Sequence, residues 1–183
     1  VYLMIIQGLG CAVMAGGRLL MGRNSASGEI GHVSFGSEGR QCSCGKKGCI
    51  EAYCSETALL GELQRLGISQ PEADSLPAVE RLSAAIAKAS HNAQVALVVD
   101  DAMDRLACCL APLLAALDPA ELLVGCRSLA VAKALGGSLQ HKLRQKLLGV
   151  PIFDMPVIAR QASEETAMRG AAGLMMSRYF RNI

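Results

Sequence analysis

The residues of this chain best suited to chemistry are His32, Cys42, Cys44 and Cys49, spaced His32-x9-Cys42-x-Cys44-x4-Cys49 in a glycine-rich stretch. Thiolate sulfur and imidazole nitrogen are the ligands zinc prefers, and four of them complete a tetrahedron. A closed tetrahedron keeps no position open for a reacting water, so such a site orders the chain rather than catalysing. Gly39, Gly45 and Gly48 let the backbone fold tightly enough to aim three sulfurs at one point. A disulfide or plain buried thiols are the other readings, although Cys42 and Cys44 are poorly placed to bridge each other. Cys54 reads as a packed thiol on the following helix. Two carboxylates flank the set, Glu29 before His32 and Glu51 after Cys49. By residue type alone, Glu29 is a loop carboxylate and Glu51 a helix N-terminal charge favoured by the dipole.

These residues need elements to hold them. Residues 22–50 are rich in Gly and Ser with little hydrophobic periodicity, and so long a loop in a compact domain needs something to fix it. Before it, Val1 to Ile6 is a continuous apolar run, expected as a strand covered on both faces. Gly8 and Gly10 make a turn, Cys11 to Ala15 runs back, and Gly16-Gly17 turns into Arg18 to Met21. After the loop, helices are expected from Ser55 to near Gly67, over Ala78 to Ala89 and over Ala93 to Leu117, with Ile68 to Pro77 a loop. Glu121 to Gly125 and Val150 to Asp154 read as short strands around a helix from Leu129 to Leu148. Ser163 caps a last helix running to about Arg178. The C-terminal half is thus α/β with parallel pairing expected.

Composition narrows the class. The chain has 183 residues, 51% hydrophobic and 19% charged, which suits a well-filled core. Net charge is +2 and no Lys/Arg run exceeds two residues, so no electrostatic grip on nucleic acid lies in this chain. The least charged stretch, Leu106 to Leu117, is about half the length needed to span a bilayer and holds Pro112, so no membrane insertion is expected. Eight cysteines fall as one cluster plus scattered apolar positions such as Cys11, Cys126 and the Cys108-Cys109 pair, a pattern expected of a reducing cytoplasm. The first residue is not Met and opens directly on a strand, which reads as a fragment of a longer protein. His91 and His141 read as solvated, the cationic face Lys133, Lys142, Arg144 and Lys146 as a solvated helix face, and Met168, Met175 and Met176 as packing for the last helix.

Gly28-Glu29-Ile30-Gly31-His32 followed by Cys42-Ser43-Cys44-Gly45-Lys46-Lys47-Gly48-Cys49-Ile50-Glu51 resembles the ROK family, whose members carry GEIGH and then CxCGxxGCxE. The family groups bacterial sugar kinases with sugar-responsive transcription regulators. The resemblance implies an α/β, actin-like (ribonuclease H-like) sugar kinase fold, of which residues 1–183 would be the C-terminal lobe, a single sugar-binding and oligomerisation domain with residues 22–50 as its zinc loop. It implies that Glu29 and Glu51 hydrogen-bond sugar hydroxyls and that His32 both binds zinc and reaches the sugar. The physics agrees: a carboxylate accepts two hydroxyl hydrogen bonds, and a ring fixed by metal at one nitrogen aims the other.

The same resemblance separates kinase from regulator. Kinase members resemble GTGxGGG after the first strand, where this chain has Gln7-Gly8-Leu9-Gly10-Cys11-Ala12. Each added side chain hinders approach of the backbone to phosphate. A Gly-Gly pair beside the nucleotide becomes Gly125-Cys126. The family's catalytic aspartate would fall upstream of Val1; neither Asn24 nor Asp100 matches it, and no catalytic residue is assigned. The resemblance therefore implies the cytoplasmic sugar-sensing and oligomerisation part of a transcription regulator in carbohydrate metabolism. It would bind zinc and a sugar or sugar-phosphate effector, form a homodimer or homotetramer, and reach DNA only through an N-terminal domain outside this chain. The alternative is a fragment of an ATP-dependent hexose or N-acetylhexosamine kinase.

Overall fold

A computed structural model describes residues 1–68, 76–88 and 92–179. It is a mixed α/β fold built on a four-stranded sheet ordered β2-β1-β5-β6, with β1 Tyr2–Ile5, β2 Leu9–Ala12, β5 Leu122–Cys126 and β6 Val157–Gln161. β2 runs antiparallel to β1, whereas β1, β5 and β6 are mutually parallel. A small hairpin, β3 Met14–Ala15 and β4 Arg18–Leu19, extends beyond β2. The helices are α1 Glu51–Cys54, α2 Glu56–Arg65, α3 Ala78–Ala87, α4 Ala93–Leu117, α5 Leu129–Lys146 and α6 Glu164–Tyr179.

The sequence explains the core. Leu3, Ile5, Leu122, Val124 and Cys126 are buried and share one sheet face through the register Leu3↔Val124. α5 packs on that face, with Gly136 against Val124 and Val157. α4 packs on α5 and buries Val95, Ala102, Met103, Leu106, Ala107, Leu110 and Leu114, a stripe at helical spacing. Its ends are punctuated: the Asn92 side chain accepts from the Gln94 and Val95 amides, and Asp118 closes it in the left-handed region at φ 43°. Pro112 lies inside this helix.

Several expectations need correction. β1 is not covered on both faces, since Met4 is 37% exposed. Gly10 is not in a turn but pairs with Met4 in the ladder. Residues Pro151–Asp154 form a 3-10 turn, not a strand, and the strand lies beyond them at Val157–Gln161. The last helix keeps Met168, Met175 and Met176 at 59–65% exposure, so they do not pack it. The cationic face of α5 is not simply solvated: Lys142 pairs with Asp100 at 2.7 Å, Lys146 with Asp104 at 3.0 Å and Arg144 with Asp154 at 2.8 Å. His141 is exposed, as expected, whereas His91 and most of the loop expected at 68–77 lie outside the described residues.

The Lys142–Asp100 pair ties α5 to α4, with the Lys142 side chain 14% exposed. Lys142→Met is expected to destabilise by about 1 kcal/mol or less, because its partner is half-exposed and screened. A double-mutant cycle with Asp100→Asn, read from urea melts at low and high salt, checks this; a coupling that persists unchanged in high salt contradicts it.

Candidate metal centre and adjoining cleft

The loop before α1 is folded by its own polar groups. Gly28 accepts the Cys11 amide at 2.9 Å, seating the segment on β2. A 3-10 turn at Ile30–His32 then presents His32. Further on, Cys42 donates its amide to Lys46 at 2.8 Å and Gly45 donates to Cys42 at 3.0 Å, a tight turn that Gly45 allows at φ 88°. Bridges Ser34↔Cys49 and Gln41↔Lys47 close the loop. The Ser34 hydroxyl donates to the Lys47 carbonyl at 2.7 Å, and Lys46 Nζ donates to the His32 carbonyl at 2.9 Å.

These turns bring the sidechain ligand atoms of His32, Cys42, Cys44 and Cys49 within 4.8 Å of one another, a group that could hold a metal ion. Cys44 Sγ stands 3.7 Å from Cys49 Sγ, and Cys42 Sγ stands 3.7 Å from His32 Nδ1. Around a tetrahedral ion with metal–sulfur bonds near 2.3 Å, two sulfurs lie about 3.8 Å apart. A disulfide needs sulfurs about 2.0 Å apart, and all the cysteines are free. The donor set and its spacing therefore fit a closed metal site. Among the thiols, the Cys44 group is lowered chiefly by the Lys46 backbone N–H, while burial, then hydrogen bonding with Cys44, pushes Cys49 up to about 11. Cys54 lies apart from the cluster, buried, with its thiol donating to the Ala102 carbonyl at 3.0 Å.

Glu29 is exposed and sits 3.9 Å from His32 Nε2, the ring nitrogen opposite the one facing Cys42. Glu51 is more constrained than its residue type suggests. Its Oε2 accepts the Leu9 amide at 3.0 Å, and its Oε1 accepts the Ser43 hydroxyl at 3.3 Å and approaches Cys42 Sγ at 3.8 Å. One carboxylate thus joins the metal loop to the turn after β1. Glu51 lines a hollow of about 420 Å³ with Gln7, Ser43, Thr57 and Glu62; Glu29 and His32 do not line it.

Sequence reasoning missed the outer support of the loop. The Tyr53 hydroxyl accepts the Arg40 amide at 3.0 Å, and the Arg40 and Arg105 guanidiniums each sit 4.9 Å from the Tyr53 ring centre. Arg40 also pairs with Glu62, whose carboxyl is held low first by hydrogen bonding to Arg65 and then by the charge of Arg40. The aromatic in the Glu51–Cys54 helix was the available signal. Glu56 was missed too. It is fully buried at the start of α2, and burial pushes its carboxyl up against the opposing charge of Arg127.

A mixed α/β sheet with a Cys/His loop packed on its first hairpin defines the class, and comparison with known proteins places it. The ROK family model matches residues 1–178. The chain belongs to the ROK family. The xylose repressor of Bacillus subtilis (strain 168) is 44% identical over 64 residues, 35% of this chain and 17% of the repressor. The glucokinase of Thermotoga maritima is 28% identical over 93% of this chain and 56% of the kinase. Among solved structures, a ROK family transcriptional regulator homologous to the E. coli MLC protein superposes with TM-score 0.78 at 24% identity, covering 96% of this chain and 45% of that one. A ROK family glucokinase from Streptomyces griseus in complex with glucose and AMPPNP gives 0.75 at 23%, covering 94% and 59%. The relatives thus include both repressors and sugar kinases, and this chain spans about half the length of those it matches end to end. No helix among the described residues is long and apolar enough to cross a membrane.

Proposed function

We propose that this chain is the sugar-sensing and oligomerisation part of a cytoplasmic ROK-family transcription regulator, the C-terminal lobe of the actin-like fold, with zinc held by His32, Cys42, Cys44 and Cys49. Zinc, when bound, supplies rigidity rather than reactivity, because four protein ligands close its shell. With His32 Nδ1 facing the sulfurs, Nε2 is left as a donor. The 3.9 Å gap to Glu29 is too long for a direct hydrogen bond, and a sugar hydroxyl fits the pair by accepting from Nε2 and donating to Glu29. Glu51 offers Oε1 to a second hydroxyl in exchange for Ser43. A sugar or sugar-phosphate that prefers one arrangement of the lobes would shift the DNA-binding heads of a homodimer or homotetramer, DNA being reached only through an N-terminal domain.

The observation that carries the regulator reading is the start of β2. The Leu9 amide is committed to Glu51 and the Cys11 amide to Gly28, so this backbone does not offer the run of free N–H groups that cradles nucleotide phosphates. A kinase reading draws on a different fact, the match of the glucokinase over 93% of this chain. An ATP-dependent phosphorylation assay with the full-length protein separates them: sugar binding without turnover is expected, and measurable turnover on any hexose sinks the regulator reading. For the sugar contacts, Glu29→Gln is expected to weaken binding roughly 10- to 100-fold, the loss of one charge-assisted hydrogen bond. Calorimetry with glucose, xylose, allose, N-acetylglucosamine and N-acetylmannosamine reads this, and affinity unchanged by the substitution removes Glu29 from the site.

A further inference from the structure

Among the described residues, Glu56 is the charged side chain that is fully buried, and neither of its carboxylate oxygens has a hydrogen-bond partner there. A buried carboxylate without hydrogen bonds is costly, so its placement calls for a reason. Its surroundings supply one. Glu56 donates its amide to the Ile6 carbonyl at 2.8 Å, just past the end of β1, and Thr57 donates its hydroxyl to Gln7 at 3.3 Å. Its carboxylate faces Arg127 Nη1 at 4.0 Å, just past the end of β5, and burial, with the charge of Glu56 second, pushes the Cys126 thiol up to about 12.

That position lies at the carboxyl ends of two adjacent parallel strands whose chains depart to opposite sides, β1 toward β2 and β5 toward β6. Open α/β sheets take their ligands in the crevice at such a divergence. Two helices also begin there. α2 is capped by Ser55, which accepts the Ala58 amide at 3.2 Å, and α5 by Ser128, which accepts the Val131 amide at 3.4 Å. Their N-termini carry partial positive charge, and Arg127 adds a full one. The crevice is therefore built to receive an anion, and the anion present is part of the chain.

We propose that the crevice between β1 and β5 is a phosphate-binding site occupied by the protein's own Glu56 carboxylate, which denies it to the phosphates of a nucleotide. This rests on the regulator reading and gives it a residue. The carboxylate stands where a phosphoryl oxygen would face Arg127 and the helix N-termini. It excludes a second anion both by volume and by like charge. The β2 amides committed to Glu51 and Gly28 weaken the site, whereas Glu56 closes it.

The test uses Mg-ADP and inorganic phosphate as probes, titrated calorimetrically into the full-length protein. The wild type is expected to show no saturable binding of either. Glu56→Gly removes volume and charge, and Glu56→Gln removes charge alone at nearly the same shape. A gain of tenfold or more in affinity for either probe in either folded variant, lost again when Arg127→Met is added, supports the proposal. Wild-type binding as tight as the variants', no gain in either folded variant, or a gain that Arg127→Met leaves intact overturns it. Glu56→Gln removes a buried charge that lacks hydrogen bonds and is offset by an ion pair with Arg127 at 4.0 Å, so a thermal melt at or above that of the wild type is expected, and it decides alone if Glu56→Gly does not fold. Wild-type ADP binding without turnover on any hexose sinks this proposal and leaves the regulator reading standing. Absence of both ADP binding and sugar binding in the wild type does the reverse.

Discussion

Replacing Cys44 by serine is expected to release the bound metal and lower the melting temperature by roughly 8–16 °C, the equivalent of about 4 kcal/mol for a site held at a thousandfold excess of metal over its dissociation constant. The loop from residue 22 to 50 contains no strand and a single three-residue 3-10 turn, so turn hydrogen bonds, side-chain contacts and isolated bridges must hold it. Cys44 is exposed and Cys49 is completely buried, so the cluster spans the loop from its surface to its base. With the proposed zinc in place, losing one ligand would open its shell, and the energy of binding would be the energy of folding the loop. Cys108→Ser is the matched control, since Cys108 is an exposed thiol on α4 away from the cluster. Elemental analysis gives the metal and its stoichiometry, and thermal melts give the cost. Wild-type protein free of zinc, together with an unchanged melting temperature in Cys44→Ser, rules the metal centre out.

The ligand cluster was legible because its information is local. Four candidate ligands of two types within eighteen residues, with glycines between them, leave few ways to fold except around a common point. The long helix α4 was legible for a similar reason, as Asn92 and Asp118 mark its ends and its apolar spacing fills the interval. What failed was information held in other parts of the chain. β6 reads poorly because Arg160 and Gln161 are exposed at the sheet edge, while the more apolar segment before it holds Pro151 and turns. The cationic face of α5 looked solvated because its carboxylate partners Asp100 and Asp104 sit on another helix. By residue type Glu56 is an ordinary acidic residue in the first turn of a helix. Its burial depends on where β1 and Arg127 lie, which the spacing within α2 does not record.

Glu51 shows how such tertiary facts alter a residue's role. Read singly, its carboxylate offers two free oxygens to a sugar, yet one is tied to the Leu9 amide. The tie links the His/Cys loop to the start of β2. A ligand acting on either part is then felt by the other, which is the physical requirement for a sensor. A Cβ at Gly8 would stand 3.0 Å from Glu51 Oε2, so a side chain there would need the Glu51 carboxylate to give way.

The segment carrying Glu29 and His32 depends on Gly28 to an even greater degree, and Gly28→Ala is expected to destabilise the protein by roughly 2–4 kcal/mol and to reduce both metal content and sugar affinity. Gly28 sits at φ 95°, a conformation unfavourable to any residue with a Cβ, and a Cβ there would overlap the Cys11 carbonyl. Relief requires the segment to lift from β2, which breaks the Cys11 to Gly28 hydrogen bond and withdraws His32 from Cys42. Gly16→Ala separates the two causes. Gly16 also has positive φ, at 55°, but a Cβ there meets nothing within 4 Å. It is expected to cost about 1 kcal/mol, from backbone strain alone, with metal and sugar binding intact. Urea melts, elemental analysis and sugar calorimetry on the two variants read the comparison. If Gly28→Ala costs no more than Gly16→Ala and keeps its metal, then contact with β2 does not position His32, and the cluster must be held by the loop alone.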